Sequence, residues 1–268
     1  MTQTSTAPNA AAPANWLRFR SSREAELTEE HGWLTLTSLQ WLGTEPAPLD
    51  LLPGLWHAAD GKAVLNAAAA DGLVVKATQL PVDGTLTASL ADEESLLWVQ
   101  FGSIVVELAR RGGHYAVRTR DRQSPVLTNF GGVPTFAYRP ELVLTARFER
   151  YAEPRRVAIG TANPHVSGTA VVVGAVAFEL NGTTHRLAAE ADASGALRLT
   201  FSDASNGRST AGWRKVVTAI PDHGGQVRVD FNRAVNYPSA FTPFGTCPMP
   251  VPGNTIGVPL EAGEMAPH

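Results

Sequence analysis

Short β-prone runs separated by tight-turn pairs occur along most of this chain and constrain its fold most strongly. Asp-Gly pairs stand at Asp60-Gly61, Asp71-Gly72 and Asp83-Gly84, and an Asn-Gly pair follows at Asn181-Gly182. Both residues of such a pair tolerate a positive φ, which the tight turns of β-hairpins require. No run alternates with a helix long enough to connect parallel strands. The sequence therefore predicts an all-β fold, a predominantly antiparallel sandwich or barrel.

One helix precedes the strands. Asn15 is a potential N-cap, the segment 16–30 carries a thin apolar stripe among charged residues, and His31-Gly32 provide a stop signal. Residues 1–14 are rich in Thr, Ala and Pro and contain no apolar run, which predicts a disordered tail. Because its apolar stripe is thin, we expect the helix to lie on the surface of the β body.

The pattern divides the chain into four parts. After the tail at 1–14, the N-terminal helix and first strand occupy 15–44, and a small β-meander or sandwich subdomain occupies 45–115. The main antiparallel β domain spans 116–268 and ends in a long aperiodic C-terminal loop. Long loops rich in polar and aromatic residues usually line a site or close the end of a fold, so this loop is the first place to look for function.

Composition argues against several classes of protein. The formal net charge of -3 favours neither nucleic acid nor anionic membrane as a partner. No stretch approaches the roughly 20 apolar residues that span a bilayer. The single cysteine excludes an intramolecular disulfide and fits a cytoplasmic location. Metal-ligand spacings and glycine-rich phosphate loops are absent, so neither a metal nor a cofactor is expected. Exposed strand edges could pair between two copies of the chain in a homodimer.

Polar residues of the C-terminal loop form the first candidate binding site. Asp230, Asn232, Arg233 and Asn236 follow a β-prone run, and Asn254 stands farther along. One interpretation is that these side chains line a pocket in which Arg233 binds a carboxylate or phosphate bidentately. The alternative is that the Arg and Asn side chains satisfy main-chain groups in a proline-rich loop that has no regular ladder.

A second polar cluster lies in the middle of the chain. Arg118 and Arg120 share one face of a predicted strand, and Asp121, Arg122 and Ser124 follow in a turn. The cluster is interpreted either as an anion site or as an ion-pair network that joins the two halves of the molecule. Buried networks of this kind are poor evidence of stability but good candidates for fixing geometry.

Two residues are candidates for chemistry. Cys247 is interpreted as a nucleophile or as a small buried apolar residue, and the absence of an identifiable electropositive partner favours the second. His165 lies in a polar loop, where a general base could stand, but no acid can be paired with it and a solvated loop histidine is the commoner case.

Three blocks of sequence carry a resemblance. They comprise Gly32-Trp33-Leu34 with Leu39-Gln40-Trp41-Leu42; 120–125 with Phe130-Gly131-Gly132; and 230–240 with Thr246-Cys247-Pro248, Asn254 and Ala262-Gly263-Glu264. In these blocks the chain resembles the bacterial domain-of-unknown-function family 1684. Ser239 stands where the family pattern has its first cysteine, and the segment 209–214 lacks an expected tyrosine. A mechanism that needs either residue is therefore not implied, and the resemblance itself implies no activity.

These features lead to one expectation and one alternative. We expect an uncharacterised protein that binds a small anionic metabolite in a pocket lined by the C-terminal Asp-Phe-Asn-Arg-Ala loop, with Arg118 and Arg120 contributing. The alternative is a non-catalytic β-sandwich module for protein interaction, in which the C-terminal motif is a structural latch. Nothing in the sequence assigns a reaction.

Overall fold

The computed structural model of the protein describes residues 12–267. Strands paired mostly in antiparallel sheets are the main secondary structure and follow a single N-terminal helix, which confirms the predicted all-β class. The expected disordered tail was placed at 1–14, and residues 1–11 of it lie outside the described residues. None of the helices in the described part of the chain has both the length and the apolar character that a bilayer crossing requires.

Helix α1 (Ala14–Leu27) carries charge on its buried face. The prediction of Asn15 as its N-cap is wrong, because the cap is Pro13, whose carbonyl group accepts the main-chain N–H of Trp16 at 2.9 Å. The buried residues Trp16, Arg20, Arg23 and Leu27 recur at helical spacing and share one face. Two of these four are arginines, which explains the thin apolar stripe in the sequence.

Nine strands form the first half of the molecule. They are β1 (Leu36–Trp41), β2 (Ala47–Leu49), β3 (Leu52–Ala59), β4 (Lys62–Ala67), β5 (Val74–Val75), β6 (Gly84–Ala88), β7 (Ser95–Phe101), β8 (Ile104–Arg111) and β9 (His114–Asp121). A five-stranded sheet has the order β1-β9-β8-β7-β5, and a four-stranded sheet has the order β2-β3-β4-β6. The five-stranded sheet therefore unites residues on both sides of the predicted 45–115 segment.

Eight further strands form the second half. They are β10 (Val143–Ile159), β11 (Gly168–Leu180), β12 (Thr183–Ala191), β13 (Leu197–Asp203), β14 (Arg214–Val217), β15 (Gln226–Asp230), β16 (Val235–Asn236) and β17 (Thr255–Ile256). Their order is β15-β10-β11-β12-β13-β14-β16, and β17 pairs in parallel with β13. The resulting sheet curves into a half-barrel.

Short helical turns connect these strands. They are the one-turn helix α2 (Pro125–Thr128) and the 3-10 helices Trp33–Thr35, Ala69–Asp71, Pro140–Leu142, Phe231–Arg233 and Pro238–Ala240. The last two lie within the C-terminal motif, so a segment without helical or strand periodicity folds as single turns.

The tight-turn pairs behave in two ways. Asn181 (φ 52) and Gly182 (φ 73) join β11 to β12, and Asp60-Gly61 joins β3 to β4 with positive φ at both residues, so these two hairpins are confirmed. Asp71-Gly72 instead ends a 3-10 turn, and Gly84 begins β6, so the other two Asp-Gly pairs are not hairpin turns.

Each half has its own apolar core. In the first half the two sheets enclose residues such as Trp56, Leu65 and Leu108. In the second half the concave face of the half-barrel buries Leu199, and Phe231 of the C-terminal motif contacts the half-barrel core with no exposed surface. Phe231 therefore closes the half-barrel core, because its aromatic ring buries a large apolar area there.

The faces opposite these cores carry polar side chains. Strand alternation places Glu107, Arg118 and Arg120 on the non-core face of the five-stranded sheet. On the half-barrel it places Arg198 and Thr200 of β13 opposite the buried core residues Leu197, Leu199 and Phe201. In both halves, strand alternation therefore places polar side chains on the face away from the core.

Candidate functional site

The asparagines of the C-terminal motif bind main-chain groups. Asn232 Oδ1 accepts a hydrogen bond from the Arg139 N–H (2.7 Å), and its amide group donates to the Arg139 carbonyl (2.9 Å). Asn254 makes the same two-way contact with Ala188 and also donates to the Thr200 carbonyl (2.9 Å). Both side chains are thus occupied in joining strands that are remote in sequence, as the second interpretation of the loop holds.

Glu264, in the last block of the motif, is fully buried and joins the motif to α1. Its Oε1 accepts from Arg20 (2.9 Å) and from Arg23 Nε (3.1 Å), and its Oε2 accepts from the main-chain N–H of Asn236 (2.6 Å). Arg23 also donates to the Asn236 carbonyl (3.0 Å). We call Glu264, Arg20, Arg23 and Asn236 the C-terminal latch.

A second buried arginine holds the end of the chain against the half-barrel. Arg214 has no exposed surface and pairs with Asp203 at 2.8 Å. It also donates to the carbonyl groups of Leu260 and Ala262. The Asp203 carboxylate in turn accepts from the Leu260 N–H (3.1 Å). Because these charges are matched by several hydrogen bonds, the cluster is a structural contact.

Of the predicted loop residues, Asp230 and Arg233 lie at an open cavity. It has a volume of about 250 Å³, and Arg228 also lines it. Arg233 Nε lies 3.5 Å from Asp230 Oδ2, its guanidinium stands 5.0 Å from the Phe19 ring centre, and its side chain is 32% exposed. The cavity is small and contains none of Asn232, Asn236, Asn254, Arg118 and Arg120. The seven predicted residues therefore do not form one pocket.

Arg118 and Arg120 share a single carboxylate. Arg118 Nη1 lies 3.0 Å from Glu107 Oε1, and Arg120 Nε lies 2.7 Å from Glu107 Oε2, with all three side chains buried. Burial would raise the pKa of Glu107, but Arg120 and Arg118 outweigh it and lower that pKa. Glu107 is therefore ionised at neutral pH, and the group of three has one positive charge in excess.

Arg118 connects this group to the C-terminal loop. Its Nη2 donates to Thr246 Oγ1 at 2.8 Å, while its Nε is buried and has no hydrogen-bond partner within the described residues. The Trp33 ring lies over both guanidinium groups, 5.9 Å from Arg118 and 5.1 Å from Arg120. Cation–π contacts of this kind stabilise charge that is removed from water.

A cleft of about 320 Å³ opens beside this group, between the two halves of the molecule. Guanidinium groups line it from three strands, Arg111 of β8, Arg156 of β10 and Arg198 of β13. Thr246 and Pro248 bring the C-terminal loop to its wall. We call this cavity the arginine cleft.

The charges of the arginine cleft are incompletely paired. Arg198 forms an ion pair with Glu190 at 3.1 Å, whereas Arg111 and Glu93 are 3.8 Å apart and Glu93 is largely exposed. Burial lowers the pKa of Arg111, and the nearby charge of Arg118 lowers it further. Arg156 is exposed and forms no ion pair among the described residues. Arg111 also donates to the carbonyl groups of Glu94 and Arg110 (2.7 Å each) and to Ser95 Oγ (2.8 Å). The donors available for an anion in the cleft are therefore chiefly those of Arg156.

Three more titratable groups lie behind Arg198. Lys215 of β14 pairs with Thr200 of β13, and its Nζ stands 5.1 Å from the centre of the Tyr237 ring. Burial raises the pKa of Tyr237 to about 12, although its hydroxyl group bonds to Thr200 at 2.7 Å. Burial also raises the pKa of Cys247. Both groups are neutral at pH 7, which favours the interpretation of Cys247 as a buried apolar residue.

Lys215 is the exception among these groups, because burial lowers its pKa and the charges of Arg23 and Arg198 lower it further. No ion pair of the described part of the chain includes it. Perturbed titratable groups concentrate at functional sites. Two of the groups with a shifted pKa, Arg111 and Arg198, line the arginine cleft, and Cys247 lies between the lining residues Thr246 and Pro248.

His165 is exposed, and its main-chain N–H donates to Asn163 Oδ1 at 3.0 Å. Residues 12–267 contain no group of three or more His, Cys, Asp or Glu side chains that could hold a metal ion.

Sequence reasoning did not identify Glu107, Arg111, Arg156, Arg198 or Lys215. A signal existed for Glu107, since it is a lone charge inside the apolar run Ile104–Ala109. A charge in the middle of a buried strand requires a partner. No comparable signal marks Arg156, because exposed arginines are common and only the fold brings it to the cleft.

Comparison with known proteins gives matches to a protein family and to solved structures. The family described as "Protein of unknown function (DUF1684)" matches residues 128–265, just over half of the chain. The solution NMR structure of an uncharacterized protein of Haloarcula marismortui is similar at 25% sequence identity, over 52% of this chain and 78% of that chain, with a TM-score of 0.43. No curated protein matches the chain.

Proposed function

Since the chain belongs to the DUF1684 family, described only as proteins of unknown function, we propose its function from geometry: it binds a small anionic metabolite in the arginine cleft. The C-terminal loop contributes to this pocket through Thr246 and Pro248. Asp230 and Arg233 lie outside it, and Arg118 acts from behind it.

One observation carries the proposal. Arg111, Arg156 and Arg198 come from three strands in two different sheets and converge on one cavity. Bringing like charges together is unfavourable unless counter-charges accompany them. Glu190 pairs with Arg198, whereas the other two carboxylates of the lining, Asp92 and Glu93, are exposed and Arg156 has no ion pair among the described residues. A bound carboxylate or phosphate supplies a counter-charge at Arg156, and guanidinium groups match the geometry of both anions bidentately.

The other properties of the arginine cleft fit a small ligand. Its volume of about 320 Å³ lies at the lower end of the range for ligand pockets, roughly 300–1,000 Å³. Hydroxyl groups stand among the arginines and can bond to the polar atoms of a ligand; they belong to Thr161, Ser167, Thr169 and Thr246. A cavity of this size and polarity suits the anionic group of a small ligand.

The test is the binding of succinate, citrate and inorganic phosphate, measured by calorimetry on the wild type and on two variants of adjacent residues. Arg156→Gln removes a guanidinium from the cleft, whereas Arg155→Gln removes one that stacks on the Tyr151 ring at 4.0 Å. We expect at least one anion to bind and Arg156→Gln to weaken it by about tenfold or more, the loss of one charge-assisted hydrogen bond. Binding of none of the three, or equal weakening by both variants, contradicts the proposal.

The second candidate function is a protein-interaction module whose C-terminal motif is a structural latch. The C-terminal latch favours its structural part, because Glu264 and Asn236 are buried and bond to groups within the fold. A latch and an anion site are compatible, since they use different residues. Copurification of a protein partner at fixed stoichiometry, without anion binding, would support the module instead.

We also propose that the protein is located in a bacterial cytoplasm and that two copies can form a homodimer. The free, buried thiol of Cys247 supports a reducing compartment. Cell fractionation tests the location, and sedimentation of the purified protein tests the homodimer.

A further inference from the structure

We propose that the anion bound in the arginine cleft carries an apolar group, and that this group lies in a second cavity beside Trp33. The inference rests on the proposed function and names the class of ligand, a small amphipathic anion such as an aromatic or branched carboxylate. The second cavity has a volume of about 320 Å³. We call it the tryptophan pocket; Trp33, Leu96, Leu97, Glu107, Arg111 and Arg120 line it.

The two cavities are neighbours. Arg111 lines both of them. A second connection runs through Arg118, which donates both to Thr246 in the wall of the arginine cleft and to Glu107 in the wall of the tryptophan pocket. The two cavities therefore adjoin at the Arg111 side chain, and a single ligand that contacts Arg111 can extend into both.

The tryptophan pocket presents apolar surface to solvent. Leu96 and Leu97 are 41% and 40% exposed, and the half-buried Trp33 ring stands beside them. Two large exposed aliphatic side chains next to an indole ring form a surface that water solvates poorly. An apolar group of a ligand that covers it gains affinity at roughly fourfold per buried methylene group.

The floor of the pocket explains why the ligand should also be an anion. Arg118 and Arg120 share the single carboxylate of Glu107, and the carboxylate nearest to Arg111, that of Glu93 at 3.8 Å, is largely exposed. The Nε of Arg118 is buried without a partner. A neutral apolar ligand would cover this positive charge without compensating it, whereas an anion held at Arg111 compensates it.

The test compares ligands that differ by one feature. Acetate, phenylacetate and uncharged phenylacetamide are titrated into the wild type by calorimetry, with ligand-observed NMR for weak binding. We expect phenylacetate to bind at least about tenfold more tightly than acetate, and phenylacetamide to bind far more weakly than phenylacetate. Equal affinities of acetate and phenylacetate overturn the inference, and so does phenylacetamide that binds as tightly as phenylacetate.

Variants test whether the advantage of phenylacetate over acetate arises in the tryptophan pocket. Leu97→Gln should reduce the advantage of phenylacetate over acetate severalfold, and Leu96→Gln provides a second variant if the first does not fold. Leu80→Gln is the matched control, because Leu80 is 63% exposed and lines neither cavity. An advantage that survives both pocket variants overturns the inference. If succinate, citrate and phosphate bind through Arg156 but phenylacetate gains nothing over acetate, the proposed function stands and the inference fails.

Discussion

Arg23 Nε lies 3.1 Å from Glu264 Oε1, although 241 positions of chain separate the two residues and both side chains are buried. Arg20 reaches the same carboxylate oxygen at 2.9 Å. One carboxylate therefore holds the buried face of α1 through two guanidinium groups. This makes the attachment of the helix an electrostatic contact as much as an apolar one.

Removal of that carboxylate should destabilise the fold strongly. Glu264→Ala leaves Arg20 and Arg23 buried without their counter-charge, which costs about 3–5 kcal/mol. Urea denaturation measures the loss. The matched control is Glu141→Ala, whose ion pair with Arg139 is exposed, and it should cost less than about 1 kcal/mol. Similar costs for the two variants would show that Glu264 does not hold the helix.

Two arginines of the second half should differ sharply in their contribution to stability. Arg214 has no exposed side-chain surface, so Arg214→Ala leaves Asp203 buried and unpaired and should cost about 3–5 kcal/mol. Arg233 is one-third exposed and its ion pair with Asp230 is 3.5 Å long, so Arg233→Ala should cost less than about 1 kcal/mol. Thermal unfolding of both variants checks this. A large loss for Arg233→Ala would return that residue to a structural role.

Replacement of Lys215 should stabilise the protein in a pH-dependent way. Burial, with Arg23 and Arg198 nearby, lowers the pKa of Lys215, while Glu26 and the thiol of Cys247 oppose this. The unfolded chain therefore holds the proton more tightly, and the lysine opposes folding most when it is charged, below its folded-state pKa. Lys215→Met should raise the stability at pH 7 by on the order of 1 kcal/mol.

The advantage of Lys215→Met should shrink as the pH rises from the folded-state pKa towards 10.5, the ordinary value. Unfolding of the wild type and the variant at pH 7 and pH 9.5 measures it. Stabilisation that does not change with pH would mean that the gain comes from packing alone.

Substitution of two glycines that have nearly the same φ distinguishes backbone strain from steric crowding. Gly61 and Gly263 have φ values of 72 and 73. A Cβ atom at Gly61 meets nothing within 4 Å, whereas at Gly263 it would overlap the Ala234 carbonyl oxygen. Gly61→Ala should cost about 1–2 kcal/mol for the left-handed conformation.

Gly263→Ala should cost at least about 2 kcal/mol more than Gly61→Ala, because the chain must move at the residue before Glu264. Denaturant unfolding of both variants gives the difference. Equal costs would show that the segment around Ala234 can move to accommodate the Cβ atom without a loss of stability.

What the sequence could predict was local. The Asn181-Gly182 hairpin follows from the conformational freedom of two adjacent residues, and so does the turn at Asp60-Gly61. The same reasoning failed at Gly72 because a glycine with positive φ also ends a 3-10 turn. Turn chemistry identifies where the chain can reverse, but it does not show which strands then pair.

The candidate site depended on pairing that the sequence does not encode locally. Arg111, Arg156 and Arg198 meet because three strands of two sheets end near one another. The polar character of the C-terminal motif was visible, but the partners of its asparagines are main-chain groups, which every sequence contains. Arg139 and Ala188, the actual partners of Asn232 and Asn254, therefore gave no signal.

The C-terminal latch cannot form until Glu264 has been translated, long after α1. With 241 positions between Arg23 and Glu264, translation at roughly 5–20 residues per second leaves α1 without its partner for about 12–50 s. During that interval a helix with a wholly apolar face would attract other nascent chains. The face of α1 that is buried in the folded protein instead carries two arginines, which water solvates well. The helix can therefore remain undocked during translation without becoming a site for aggregation.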